Sequence, residues 1–272
     1  TQGLSPVRRV AREVEARDAA ALAPISDADL PEEITPLTHA LNKLLKRLGH
    51  ALGAQRAFIA DAAHELRTPL TALKLQIQLA KRAGSEEERK MAFAELEQGF
   101  DRAMHMVQQL LTLARQEPGA SPQKRENVDL AALAQQVAGT LASVAHDKRI
   151  DLGVSRADPV TLEGDPDALR VMLENVVENA MRYTPEGGAV DVAVKTVNGG
   201  ALVQVADNGP GIPAGELERV FDRFYRVPGT AVQGSGLGLS IVREIADAHG
   251  AEVKLANTAP GLKVEIIFPG KL

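Results

Sequence analysis

Four short segments, far apart in the chain, carry side chains able to do chemistry. Ala62–Lys74 reads A-A-H-E-L-R-T-P-L-T-A-L-K. It offers His64, an imidazole nucleophile, with Glu65 beside it to orient the ring or take its proton. Leu173–Thr184 reads L-E-N-V-V-E-N-A-M-R-Y-T. On a helix, Asn175 and Asn179 face the same way, four residues apart. Mg2+ prefers oxygen ligands, so one carboxamide oxygen with phosphate oxygens would suit it, and Arg182 adds a positive charge. Asp207-Asn-Gly-Pro-Gly-Ile-Pro213 supplies a carboxylate able to accept from a base edge; taken alone it is also an ordinary Asx turn. Gly234-Ser-Gly-Leu-Gly-Leu239 runs from a glycine loop into a helix, where exposed N–H groups attract phosphates.

The elements that must position these groups follow from periodicity. A very long helix is predicted from Glu33, with apolar positions at Leu41, Leu45, Leu48, Leu52, Ile59, Ala62, Leu66, Leu70, Leu73, Ile77 and Ala80. Steps of three and four make this a heptad pattern, as in coiled coils and bundles. His64 lies roughly 200° around the helix from Leu66, and so faces solvent with Arg67 and Thr68. Pro69 sits inside the same pattern, where it removes a hydrogen bond and loosens the turn that carries His64. Gly84-Ser85 ends this helix, and a second begins at Glu86-Glu87-Glu88 with Phe93, Leu96, Phe100, Ala103, Val107, Leu110 and Ala114 in step. An antiparallel helical hairpin is the result. One hairpin buries too little, so a homodimeric four-helix bundle is expected.

After residue 116 the pattern changes. Residues 117–126 are a polar Pro/Gly linker. Helices are predicted near 130–146, 166–183 and 237–249, and strands at Ile150–Ser155, Val190–Thr196, Leu202–Ala206, Val253–Ala256 and Val264–Phe268. Asn198-Gly199-Gly200 marks a hairpin turn. This mixture predicts an α+β two-layer sandwich.

Composition narrows the function classes. With 272 residues there is room for several small domains. Aromatics are 3% and Trp is absent, so cores must be built from Leu, Val, Ile and Ala. A net charge of −5 argues against broad nucleic-acid binding. The absence of Cys excludes disulfides and thiolate metal sites. No apolar run approaches the ~18 residues that span a bilayer.

Phe58–Lys74 resembles the phosphoacceptor box of sensor histidine kinases of two-component systems, and His64–Leu70 matches its pattern H-E-[LI]-R-[TS]-P-L throughout. The resemblance implies that His64 takes the γ-phosphoryl group of ATP with Glu65 as general base, and passes it to an aspartate of a response regulator receiver domain. Glu65-x-x-Thr68 further implies a phosphatase activity toward that regulator. The later segments resemble the family's nucleotide boxes. By that resemblance Asn179 is the Mg2+ ligand, while Asn175, Arg182 and Tyr183 lie near phosphates and adenine. Asp207 takes the adenine amino group, and Gly209 and Gly211 let backbone approach the base. Val220–Arg226 resembles the F-box, with Phe221 and Phe224 anchoring a lid over residues 227–235 and Arg226 reaching the γ-phosphate. Gly234, Gly236, Leu237 and Gly238 form the phosphate loop. Arg182 stands where the family often has Lys. The wider GHKL fold also serves ATPases that hydrolyse by a Glu four residues before the metal Asn. This chain has Asn175 there, which favours transfer to an internal nucleophile.

Residues 1–53 read as helix–connector–helix and resemble a HAMP signal-relay module, so four parts are expected: 1–53, the phosphotransfer hairpin 54–116, the linker 117–126 and the ATP-binding domain 127–272. The same resemblance makes the chain the cytoplasmic portion of an inner-membrane protein whose spans lie upstream. The stimulus, the cognate regulator and transfer in cis or in trans stay open, the last resting on the handedness of the turn near Gly84.

Overall fold

A computed structural model of the chain describes residues 23–26, 34–116, 125–229 and 234–270. The expected first helix (residues 1–20), most of the linker (117–124) and part of the lid (230–233) lie outside these residues. The chain divides into two units, one through Thr68 and one from Pro69.

The long helix α1 (Thr35–Arg82), whose residues through Thr68 fall in the first unit, begins two residues later than the sequence predicts, and Pro69 within it opens the second unit. The connector docks on it through Ile25, which is buried. The Ile25 N–H donates to Asn42 Oδ1 at 2.7 Å, and Asn42 Nδ2 donates to the Ile25 carbonyl at 2.9 Å. One carboxamide thus satisfies both polar groups of a backbone unit taken out of water.

In the second unit, α2 (Glu86–Gln116) starts from a variant of the capping box in which the glutamate reaches one residue further back. Ser85 Oγ accepts from the Glu88 N–H, and the Glu88 carboxylate accepts from the Gly84 N–H. Leu110 and Leu113 near its C-terminal end are buried, whereas Leu70, Ile77, Phe93 and Phe100 are exposed.

The rest of this unit is a sheet covered by helices. After β1 (Glu126–Asp129) come α3 (Leu130–Asp147), β2 (Asp151–Ala157), β3 (Thr161–Gly164), α4 (Pro166–Tyr183), β4 (Ala189–Val197), β5 (Gly200–Asp207), α5 (Gly238–Ala248), β6 (Glu252–Asn257) and β7 (Leu262–Phe268). Five strands pair in the order β2-β4-β5-β7-β6; β2 runs parallel to β4 and the others are antiparallel. β1 and β3 form a separate antiparallel pair. Alternation is clear along β7, where Val264, Ile266 and Phe268 are buried. The helices bury apolar stripes of their own, including Leu133 and Val137 of α3, Leu169, Met172 and Val176 of α4, and Ile241 and Ile245 of α5. Full burial of each such side chain contributes about 1.5–3 kcal/mol.

Local chemistry sets the ends. Asp129 caps α3 by accepting from the Ala131 and Ala132 N–H groups. Asp165 caps α4, with Pro166 at its first turn. The β4–β5 hairpin turns at Asn198 and Gly199, with φ of 49° and 76°. Two successive positive φ values are what a tight hairpin needs.

Candidate nucleotide site and phosphoacceptor helix

In the first unit, His64 is exposed on α1, with Arg67 and Thr68 also exposed and Glu65 half-buried. These four residues occupy consecutive turns of one helix, as their spacing requires.

In the second unit, a cavity of about 520 Å³ opens among α4, the end of β5, the segment after it and the start of α5. That volume suits a small organic ligand. Asn175, Asn179, Arg182, Tyr183, Asp207, Gly211, Arg226, Gly234, Gly236 and Gly238 all line it. Among the residues just named, positions up to 63 apart are gathered by the fold: α4 brings its two carboxamides, β5 its terminal carboxylate and α5 its N-terminus.

Asp207 sits where β5 leaves the sheet. Its Oδ1 accepts from the Gly209 N–H at 2.9 Å and from the Leu262 N–H at 3.2 Å. Burial pushes this carboxyl above its ordinary value, and the two N–H donors offset part of that rise. Gly261 has a φ of 108°, and a side chain there would overlap the Asp207 carbonyl oxygen. Asp207 is therefore held by backbone on two sides.

The α5 end of the cavity is shaped by absent side chains. A Cβ on Gly238 would lie 2.7 Å from Asn179 Nδ2, and one on Gly234 would lie 2.7 Å from the Arg182 guanidinium. Gly236, at φ 71°, packs on the backbone of Phe224. The first turn of α5 thus presents bare backbone beside a carboxamide and a cation, the arrangement that receives phosphates at a helix N-terminus.

Three expected nucleotide residues, Gly209, Leu237 and Phe224, do not line the cavity. Gly209 packs against the Tyr183 carbonyl and donates to Asp207. Leu237 is fully buried and precedes α5. Phe224 adopts φ 62° beneath Gly236. Each supports a neighbour that does face the cavity.

Other contributors were not evident from sequence. Asn257 clamps Ile212, donating to its carbonyl at 2.7 Å and accepting from its N–H at 2.9 Å. The Tyr225 hydroxyl donates to Glu216, and the Arg219 guanidinium lies 4.2 Å over the Tyr225 ring. That bond to Glu216 raises the Tyr225 hydroxyl above its usual pKa, with burial adding to it. Arg223 pairs with Glu244, tying this segment to α5. Gln109 reaches the cavity from α2. In a heptad helix a Gln reads as a solvated position, so nothing in the spacing flagged it.

Among the described residues, no helix is long and apolar enough to cross a membrane.

Comparison with known proteins agrees along the chain. Residues 164–272 match the family of histidine kinase-, DNA gyrase B- and HSP90-like ATPases. Residues 54–119 match the His kinase A phosphoacceptor domain, and residues 4–50 match a PhoQ-like HAMP domain. The sensor protein kinase PmrB of Pseudomonas aeruginosa is 39% identical over 271 residues, covering 98% of this chain and 57% of that protein. The swarming motility sensor RssA of Serratia marcescens is 36% identical over 255 residues, covering 93% of this chain and 54% of its own length. The chain thus spans about half the length of the curated relatives it matches. Among solved structures, full-length ShkA in complex with AMPPNP is 30% identical with a TM-score of 0.58, covering 79% of this chain and 45% of that one. The Acinetobacter baumannii kinase AdeS shares the fold, with a TM-score of 0.64 at 22% identity over 77% of this chain and 98% of its own. With HAMP, phosphoacceptor and ATP-binding domains in that order, the chain belongs to the sensor histidine kinases.

Proposed function

We propose that this protein phosphorylates itself on His64 from ATP and passes the phosphoryl group to an aspartate of a response regulator. The observation that carries this reading is the pairing of an exposed imidazole, flanked by a carboxylate, with a cavity whose walls suit a nucleotide. In that cavity Asp207 accepts from the adenine amino group, Arg182 and Arg226 meet phosphates, and the first turn of α5 donates N–H bonds to them.

The residues present also fit a magnesium ion. By the same resemblance the ion's protein ligand would be the Asn179 carboxamide oxygen, and Asn179 lines the cavity beside Gly238. When bound, Mg2+ would neutralise charge that develops on the phosphates. Glu65 takes the imidazole proton as a ring nitrogen of His64 bonds to the γ-phosphorus and the bond to the ADP oxygen breaks. Thr68, one turn along, orients water toward a phospho-aspartate in the reverse, phosphatase reaction.

The working unit is a homodimer. Leu70, Ile77, Phe93 and Phe100 are exposed on the hairpin, and a second hairpin would cover them in a four-helix bundle. The natural protein is anchored in a membrane through segments upstream of the HAMP-like part, which places residues 1–272 on the cytoplasmic side. Residues 1–53 relay the signal, 54–116 dimerise and carry the phosphoacceptor, 117–126 tether, and 127–272 bind ATP.

The test is incubation with γ-labelled ATP and Mg2+. Wild type should acquire alkali-stable, acid-labile label and His64→Gln none. Steady phosphate release without any phosphoprotein would instead favour a hydrolytic ATPase of the same fold.

A further inference from the structure

We infer that Gln109, on the second helix of the phosphoacceptor hairpin, is a positioning residue of the nucleotide cavity and competes with the triphosphate for two of its walls. The inference rests on reading that cavity as the nucleotide site. Gln109 is 7% exposed and lines the cavity, although it lies 66 residues before Asn175 and belongs to α2. Its Nε2 donates to Asn175 Oδ1 at 3.0 Å, and its Oε1 accepts from Ser235 Oγ at 2.9 Å.

Both partners stand at the phosphate end of the cavity. Ser235 lies in the glycine loop, and its Oγ also accepts from the Leu237 N–H at 3.3 Å. Asn175 uses its Nδ2 to donate to the Val171 carbonyl at 2.8 Å, so its Oδ1 is the atom left to face the cavity, and Gln109 takes it. Gly238, where phosphates are expected, has its missing Cβ 3.2 Å from that same oxygen. One primary amide therefore bridges α4, the glycine loop and α2. Leu110 and Leu113 anchor it by burying the adjacent turns of α2.

The consequence is a linkage. A ligand that draws the glycine loop or the Asn175 oxygen to itself must displace Gln109, and whatever opposes its binding in this way is relieved when the amide is removed. The same displacement loosens the hold of the ATP-binding domain on α2. Nucleotide occupancy would thereby be read directly by the hairpin that carries the phosphoacceptor, through a side chain and not through the linker.

The experiment titrates Mg2+·ADP, and Mg2+ with a non-hydrolysable ATP analogue, into the whole 272-residue chain by calorimetry. Wild type is compared with Gln109→Met, which keeps the length and packing but not the two hydrogen bonds, and with Gln109→Ala. Both variants should bind about tenfold tighter, the worth of two net hydrogen bonds. Amide exchange over residues 106–113 should rise on nucleotide addition in wild type, and should already be raised without nucleotide in Gln109→Met. Unchanged or weaker binding by a folded Gln109→Met protein overturns the inference, because Gln109 would then be packing or a direct ligand. Unchanged exchange overturns it equally. Failure of all three proteins to bind nucleotide overturns the reading of the cavity itself.

Discussion

Replacing Asp207 by Asn separates recognition from stability, because the proposed adenine contact and the observed backbone bonds fall on different features of one side chain. The Asp207 Oδ1 accepts from the Gly209 and Leu262 N–H groups, and an Asn Oδ1 keeps both bonds. The second oxygen becomes an NH2 group, which meets the adenine amino group donor to donor. Losing a hydrogen bond to a charged acceptor costs about 1.5–3 kcal/mol, and leaving a donor unsatisfied costs about 1–3 kcal/mol more. Adenine nucleotide affinity should fall roughly 100-fold or more. Folding should not suffer. Burial raises the Asp207 pKa in the folded protein, so the unfolded chain releases that proton at lower pH than the folded one does. Stability then falls as pH rises through the window above the ordinary Asp value of about 3.9, and the deficit persists at neutral pH. Asp207→Asn lacks this deficit. Its melting temperature at pH 7 should match or exceed wild type, and wild type should regain ground on it as pH drops toward 3. Calorimetric titration with ADP and thermal melts across that range measure both. A variant that binds ADP normally, or that melts well below wild type at pH 7, would refute the assignment.

Other substitutions should follow from single contacts. Gly261→Ala places a Cβ into the Asp207 carbonyl at a φ of 108°, so it should lower stability by about 3 kcal/mol or more, read by urea unfolding; a change below 1 kcal/mol would contradict the packing there. Asp165→Ala removes the cap that accepts from the Asp167 and Ala168 N–H groups and should cost about 1 kcal/mol in the same assay. Asn257→Ala breaks both bonds to Ile212 and should cost about 1–3 kcal/mol while weakening ADP binding. Thr68→Ala should keep labelling of His64 and lose dephosphorylation of a phosphorylated receiver domain; parallel loss of both would mean Thr68 serves the helix and not the water.

The parts most legible in sequence were those with strong local signatures. The period-two run Val264–Phe268 became β7, and the heptad runs became α1 and α2 within two residues at their starts. β1 and β3 escaped because each is four residues long, with one buried residue apiece (Val128, and Gly164, which has no side chain), and they exist only through pairing across some 35 residues. The cavity was legible where a residue presents its own chemistry, as Asp207 and Asn179 do. It was not legible where a residue acts by holding another. Asn257 looks like a strand end, yet it fixes the Ile212 backbone, and Gln109 looks solvated, yet it is buried against Asn175. Gly209, Leu237 and Phe224, expected at the nucleotide, are not among the residues that line the cavity. Long-range tertiary contacts decide all of these, and no spacing rule reports them.

The most direct measurement is site-localised mass spectrometry under alkaline conditions after brief exposure to ATP and Mg2+. Phosphate should appear on the peptide that contains His64 in wild type, and should be absent from Asn179→Ala and Asp207→Asn proteins whose folding is intact. Phosphate on another residue, or on His64 after the cavity has been disabled, would contradict the claim that this cavity feeds this imidazole.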